Sequence, residues 1–147
     1  MKSSLSSLDN NEIWPSFESE AESLDHSIQI DGKDFAGQHF LVDLWTDNGL
    51  DDLNFLETIL REMISASEAT LLHLHLHHFT PQNGISGVAV LAESHISVHT
   101  WPERNFAAFD IFMCGDTKPD LAAKILSSRL KPSRIETNRY FRGPSEP

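Results

Sequence analysis

Between Leu91 and Glu103 the chain reads Leu-Ala-Glu-Ser-His-Ile-Ser-Val-His-Thr-Trp-Pro-Glu. The alternation predicts a strand, yet Glu93, Ser94, His95, Ser97 and His99 stand where apolar packing is expected. Twenty residues beyond Ser94 lies Cys114, the single cysteine of the chain, in Phe-Asp-Ile-Phe-Met-Cys-Gly-Asp. A hydroxyl, imidazoles and a thiol on neighbouring strands are reagents for acyl chemistry. Serine is a weak nucleophile that needs proton-handling groups and an oxyanion donor, and a thiol can deliver a proton. Each residue also has a plainer role, Ser94 as a polar strand end and Cys114 as a buried core thiol.

These residues need strands to hold them. Phe35 to Trp45 reads as a strand closed by the turn signal Asp47-Asn48-Gly49. Leu50-Asp51-Asp52-Leu53 opens a helix with acids in its first turn, and Leu53, Leu56, Ile59, Leu60, Met63 and Ile64 give it one apolar face. From Thr70 to Phe79, Leu72, Leu74 and Leu76 alternate with His73, His75 and His77, a strand with one apolar and one imidazole face. After the turn Thr80-Pro81-Gln82-Asn83-Gly84, the strand from Ile85 to Leu91 runs directly into the Glu93-Ser94 segment. A strand from Phe106 to Cys114, a helix from Lys118-Pro119-Asp120 to Leu130, and a strand from Arg134 to Phe141 follow. The order β-α-β-β-β-α-β predicts an α+β fold, a two-layer sandwich with a mostly antiparallel sheet and two helices on one face. A sheet of this size with one bare face often dimerises. The separation of Ser94 and His99 is odd, so a straight strand points them to opposite faces. A bend or bulge between them, or approach from the far side, is needed if they are to meet.

A length of 147 residues, 39% of them hydrophobic, suits a single globular domain. Residues 1–34 are polar and acidic, with eight acids against Lys2 and Lys33, and are expected to form a disordered extension before a domain at 35–147. The net charge of −11 argues against non-specific nucleic-acid binding. No apolar run spans a bilayer, the first residues lack the core of a signal peptide, and a lone thiol suits a reducing compartment, so a cytoplasmic location is expected.

Four segments, Phe79-Thr80-Pro81-Gln82, Gly84-Ile85-Ser86-Gly87-Val88, Glu93 through Glu103, and Cys114-Gly115-Asp116, resemble in order and spacing the prokaryotic short-chain S-adenosylmethionine decarboxylase proenzymes. The similarity spans roughly residues 37 to 131. It implies that Ser94 attacks the carbonyl of Glu93, that the ester so formed eliminates to dehydroalanine, and that hydrolysis leaves a pyruvoyl group. The products would be a β chain, 1–93, and an α chain, 94–147. By the same resemblance, His99 is the processing base, assisted by Ser86. The pyruvoyl forms a Schiff base with S-adenosylmethionine and serves as electron sink, Cys114 protonates the product, and Glu103 and Phe79 line the substrate site. Trp45 is an alternative to Phe79 for stacking on adenine. The resemblance also implies a supply of aminopropyl groups for spermidine and a homodimer of processed αβ protomers.

Two other readings stand beside this one. Pyruvoyl chemistry is indifferent to what lies beyond the α-amino acid, so a basic amino acid such as ornithine or arginine is an alternative substrate. The strand bearing His73, His75 and His77, with His78 beside it, could instead bind a metal. No Cys or Glu cluster accompanies it, and no metal is expected.

Overall fold

The computed structural model describes residues 27–145. A short strand β1 (Ile28–Ile30) forms a hairpin with the long β2 (Lys33–Trp45). Helix α1 (Leu53–Ala66), β3 (Leu71–His78), β4 (Ile85–Leu91), β5 (Ser94–Trp101), a 3-10 turn (Pro102–Arg104), β6 (Phe106–Met113), α2 (Pro119–Leu130) and β7 (Arg134–Pro144) follow. All strand pairs are antiparallel, in the order β1–β2–β6–β5–β4–β3, with β7 along β2. The two helices cover one face of this sheet, as the order of elements predicts.

The core forms because period-two strands and period-3.6 helices bring their apolar residues to one interface. Val42, Leu44, Ile85, Ala89, Ile96, Val98, Ala107, Ile111 and Met113 supply the sheet side, against Leu56, Ile59, Leu60, Met63, Leu126 and Leu130 from the helices. Asp51 and Asp52 precede the first turn of α1 rather than lying in it. Asp52 is its N-cap, with a carboxylate oxygen accepting from the Phe55 N–H at 3.0 Å. Buried Thr100 is fully used, since its hydroxyl donates to the Leu50 carbonyl at 2.8 Å and accepts from the Ile85 N–H at 2.9 Å. That bond pair fixes the far end of β5.

Two expectations change. Order begins before Phe35, because Ile28 to Ile30 pair with Lys33 to Phe35; the rest of the expected extension, residues 1–26, lies outside the described residues. The stretch from Ile85 to Trp101 is two strands rather than one. Leu91 pairs with Ser94 across a two-residue turn, Ala92-Glu93, in which Glu93 has a φ of 65°. Neither Gly, Pro, Asn nor Asp marks that turn, which is why the sequence pattern runs through it. Among the described residues no helix is long and apolar enough to cross a membrane.

Candidate active site

The two-residue turn presents the Glu93-Ser94 bond at the tip of the β4–β5 hairpin. A left-handed φ at glutamate costs on the order of 1 kcal/mol and sits on the residue whose carbonyl would be attacked. Ser94 opens β5 on the helix-covered side and is 7% exposed. Its Oγ accepts from the Cys114 N–H at 3.2 Å, so the end of β6 is brought against the start of β5. The loop beyond Cys114 is tied down twice. Thr117 Oγ1 donates to the Cys114 carbonyl at 2.7 Å, and the Lys118 N–H donates to the Ser67 carbonyl at 2.9 Å.

Burial pushes the Cys114 thiol above its ordinary pKa, and the negative charge of Glu93 pushes it further in the same direction. The thiol therefore keeps its proton where a free cysteine begins to ionise. It is suited to giving a proton away rather than to attacking as a thiolate.

The open face of the sheet carries a second group. Register places His77, Ser86, His99 and Ala108 in one row across β3, β4, β5 and β6. Ser86 Oγ and His99 Nδ1 lie 2.9 Å apart. The next row runs Trp101, Phe106, Trp45 and Arg134, with ring centroids 5.3 Å and 5.2 Å apart and the guanidinium 4.6 Å from the Trp45 centroid. Glu103 follows in the 3-10 turn at this same end. Phe79 is exposed just beyond β3, against His77 at 4.5 Å.

The structure thus joins Ser94 with Cys114 and Ser86 with His99, but does not join the two pairs within one chain. The register of β5 against β4 and β6 is unbroken from Ser94 to Trp101, and burial alternates along it. No bulge turns His99 toward Ser94. Five residues of extended chain put them about 16 Å apart on opposite faces, so His99 cannot abstract a proton at Ser94 of its own chain.

His73, His75 and His77 point to the open face and His78, paired with buried Ile85, to the other; among the described residues they form no metal-sized cluster. Among the described residues the cluster of that kind is His39, His95 and Asp110, from β2, β5 and β6. Sequence reading misses it because the three residues are far apart in the chain. The register supplies the missing information, setting His95, Phe112 and His39 in one row with Asp110 in the next.

The sheet, its two covering helices and the serine–thiol hairpin define a two-layer α+β protein built like a solved decarboxylase. The structure of the adenosylmethionine decarboxylase from Aquifex aeolicus matches with a TM-score of 0.68 and 32% identity, over 74% of this chain and 92% of that one. The family model for S-adenosylmethionine decarboxylase matches residues 38–143, and the chain belongs to that family. The S-adenosylmethionine decarboxylase proenzyme of Thermomicrobium roseum is 43% identical over 108 residues, 73% of this chain and 93% of the relative. That of Parasynechococcus marenigrum is 46% identical over 109 residues, 72% of this chain and 84% of the relative. A third, from Methanococcus vannielii, is 43% identical over 110 residues, 73% of this chain and 89% of the relative.

Proposed function

We propose that the chain is a proenzyme that cuts itself between Glu93 and Ser94 and then decarboxylates S-adenosylmethionine. The observation that carries this reading is the placement of that bond. It lies in a tight turn with a left-handed Glu93, next to a buried hydroxyl backed by a backbone N–H. In the first step the Ser94 Oγ–C bond to Glu93 forms, the C–N bond breaks, and the hydroxyl proton passes to the departing nitrogen. Loss of the Ser94 α-proton then releases the Glu93 carboxylate and leaves dehydroalanine, whose enamine nitrogen is replaced by the oxygen of a water molecule and departs as ammonia, giving the pyruvoyl.

The local residues fit a pyruvoyl group at position 94: the site is enclosed, and a thiol that holds its proton stands beside it. That group supplies a ketone for the substrate amine and an electron sink as carbon dioxide leaves. Cys114 gives its proton to the carbon that loses the carboxylate. The product is decarboxylated S-adenosylmethionine, an aminopropyl donor for spermidine synthesis, made in the cytoplasm.

The Ser86–His99 pair needs a second chain. Its hydroxyl and imidazole stand on the bare face about 16 Å along the strand from Ser94, with Trp101 6.1 Å from His99, Phe79 against His77 of the same row, and Glu103 in the 3-10 turn that follows β5. That face also exposes Leu41, Val88 and Tyr140, the kind of apolar surface that a partner covers. In a homodimer joined through this face, the pair of one protomer serves residue 94 of the other, and Glu103 and the aromatic side chains line the substrate cavity between them. A basic amino acid as substrate is not favoured, since the relatives carry the name of S-adenosylmethionine.

Intact-mass measurement of the purified protein tests the reading. Two fragments meeting at Glu93-Ser94 are expected, the smaller carrying a ketone that reacts with a hydrazine, and Ser94→Ala should stay whole. A wild-type chain that remains uncut after prolonged incubation refutes self-processing.

A further inference from the structure

Four polar side chains from four strands meet on the open face beside the start of β5. His39 Nε2 lies 2.5 Å from Asp110 Oδ1, and His95 Nε2 lies 3.6 Å from the same oxygen. Arg142 Nη1 lies 3.1 Å from His39 Nδ1. The His95 ring stacks on Phe112 with centroids 5.6 Å apart and planes at 22°. His39 meets the same phenyl edge-on at 5.5 Å. Gly37 leaves space for that phenyl, since a Cβ there would come within 2.8 Å of Phe112 Cζ.

Two imidazoles and a carboxylate are a possible metal donor set, but Arg142 argues for another use. A guanidinium only donates, so His39 Nδ1 must accept, and the ring proton sits on Nε2, pointing at Asp110. Metal ligation would need that nitrogen bare, forcing the proton onto Nδ1 against a cation. A ligating histidine normally gives its other N–H to an acceptor, the opposite of what stands here. The arrangement is a hydrogen-bonded chain, Arg142 to His39 to Asp110, with His95 stacked on Phe112 and 3.6 Å from its last oxygen.

His95 is the residue that follows Ser94. While the chain is whole, the β4–β5 turn holds residue 94 from both sides. Once the Glu93-Ser94 bond opens, residue 94 becomes a chain end, and chain ends fray unless tied down. We infer that Arg142, His39 and Asp110, with Phe112, clamp His95 so that the newly made N-terminus stays aligned with Cys114 after cleavage. These are positioning residues. They matter for the decarboxylation and not for the cut, and the inference rests on the self-processing reading above.

The test compares wild type, Asp110→Ala, Asp110→Asn and Arg142→Met as full chains. Arg142→Met changes a side chain exposed in the single chain, and its complete cutting, which needs the assembled dimer, guards against a folding or assembly defect. All four should be fully cut by intact mass. Asp110→Ala should lose kcat on the order of 10²-fold, the cost of a misplacement of about 1 Å, with KM changed far less. Arg142→Met should lose several-fold, and Asp110→Asn, which keeps an acceptor oxygen, should recover most of the rate. Amide hydrogen exchange over residues 95–99 should quicken in cut Asp110→Ala but not in the uncut Ser94→Ala/Asp110→Ala double variant.

Cut Asp110→Ala and Arg142→Met with wild-type kcat and exchange would overturn the clamp. So would stoichiometric zinc retained by dialysed wild type and lost in Asp110→Ala with exchange unaltered. If wild type is never cut, the processing reading falls and takes the clamp with it. If it is cut and only these variants behave as wild type, the clamp alone falls.

Discussion

In the proposed self-processing, Ser94→Ala removes the hydroxyl that attacks Glu93, and His99→Ala removes the imidazole that handles its proton. Along β5 the two positions are about 16 Å apart, five residues at about 3.3 Å each, and they face opposite sides of an unbroken strand. Hydrogen-bond reach is about 3 Å, so under the proposed homodimer the working combination is Ser94 of one protomer with His99 of its partner. Each variant alone lacks one half of every site. Loss of a general base slows a proton transfer by roughly 10²- to 10⁴-fold, so over the time in which wild type is fully cut both should remain whole. Equal amounts unfolded and refolded together re-pair at random, making about half of the dimers mixed. Each mixed dimer contains one site with both groups, on the His99→Ala chain. About half of the His99→Ala chains should then be cut, and none of the Ser94→Ala chains. Intact-mass spectrometry distinguishes the two variants and their fragments directly. A mixture that stays as uncut as its components would refute the reasoning from separation, and a His99→Ala protein that cuts at the wild-type rate would remove His99 from the chemistry.

Cys114 should react slowly with iodoacetamide at pH 8.5, with a midpoint above that of a free thiol near ~8.5, because burial and then Glu93 raise its pKa. Glu93→Gln in an uncut Ser94→Ala background should lower that midpoint; a midpoint at or below the free thiol would contradict the proton-donor role. The sign carries into stability. With the folded pKa above the unfolded one, this group's contribution is full below about 8.5 and is lost as pH rises through the folded value, which urea melts across that range would register. Gly87→Ala should cost roughly 1–3 kcal/mol and several degrees of melting temperature, since the added Cβ runs into Leu76 Cδ2 and meets the His75 carbonyl oxygen at 2.6 Å. The carbonyl belongs to the paired backbone of β3 and cannot swing aside, so an unchanged melting temperature would contradict the register of β3 on β4.

Much of the fold is legible in the chain because its periods are clean. The apolar stripe from Leu53 to Ile64 and the alternation in β2, β5 and β6 leave little choice of element or buried side. The hairpin at Ala92-Glu93 is not legible, because its strain falls on a glutamate and not on a glycine. The histidine alternation of β3 is real, but a register shift after Leu71 leaves Leu72 40% exposed, which the pattern alone would have placed in the core.

The local pattern of residues therefore determined the reagents, the two layers and which side of each strand is wet, since these depend on neighbours along the chain. It fixed even the conflict between Ser94 and His99, because an odd separation on a strand is a statement about direction. What only the tertiary structure decided was proximity across the sheet. Strand order and register put Cys114 against Ser94, Ser86 against His99, and Arg142, His39 and Asp110 against His95, contacts between residues 13 to 103 positions apart. Such long-range pairings are set by how the whole apolar set packs into one core. No local period encodes them.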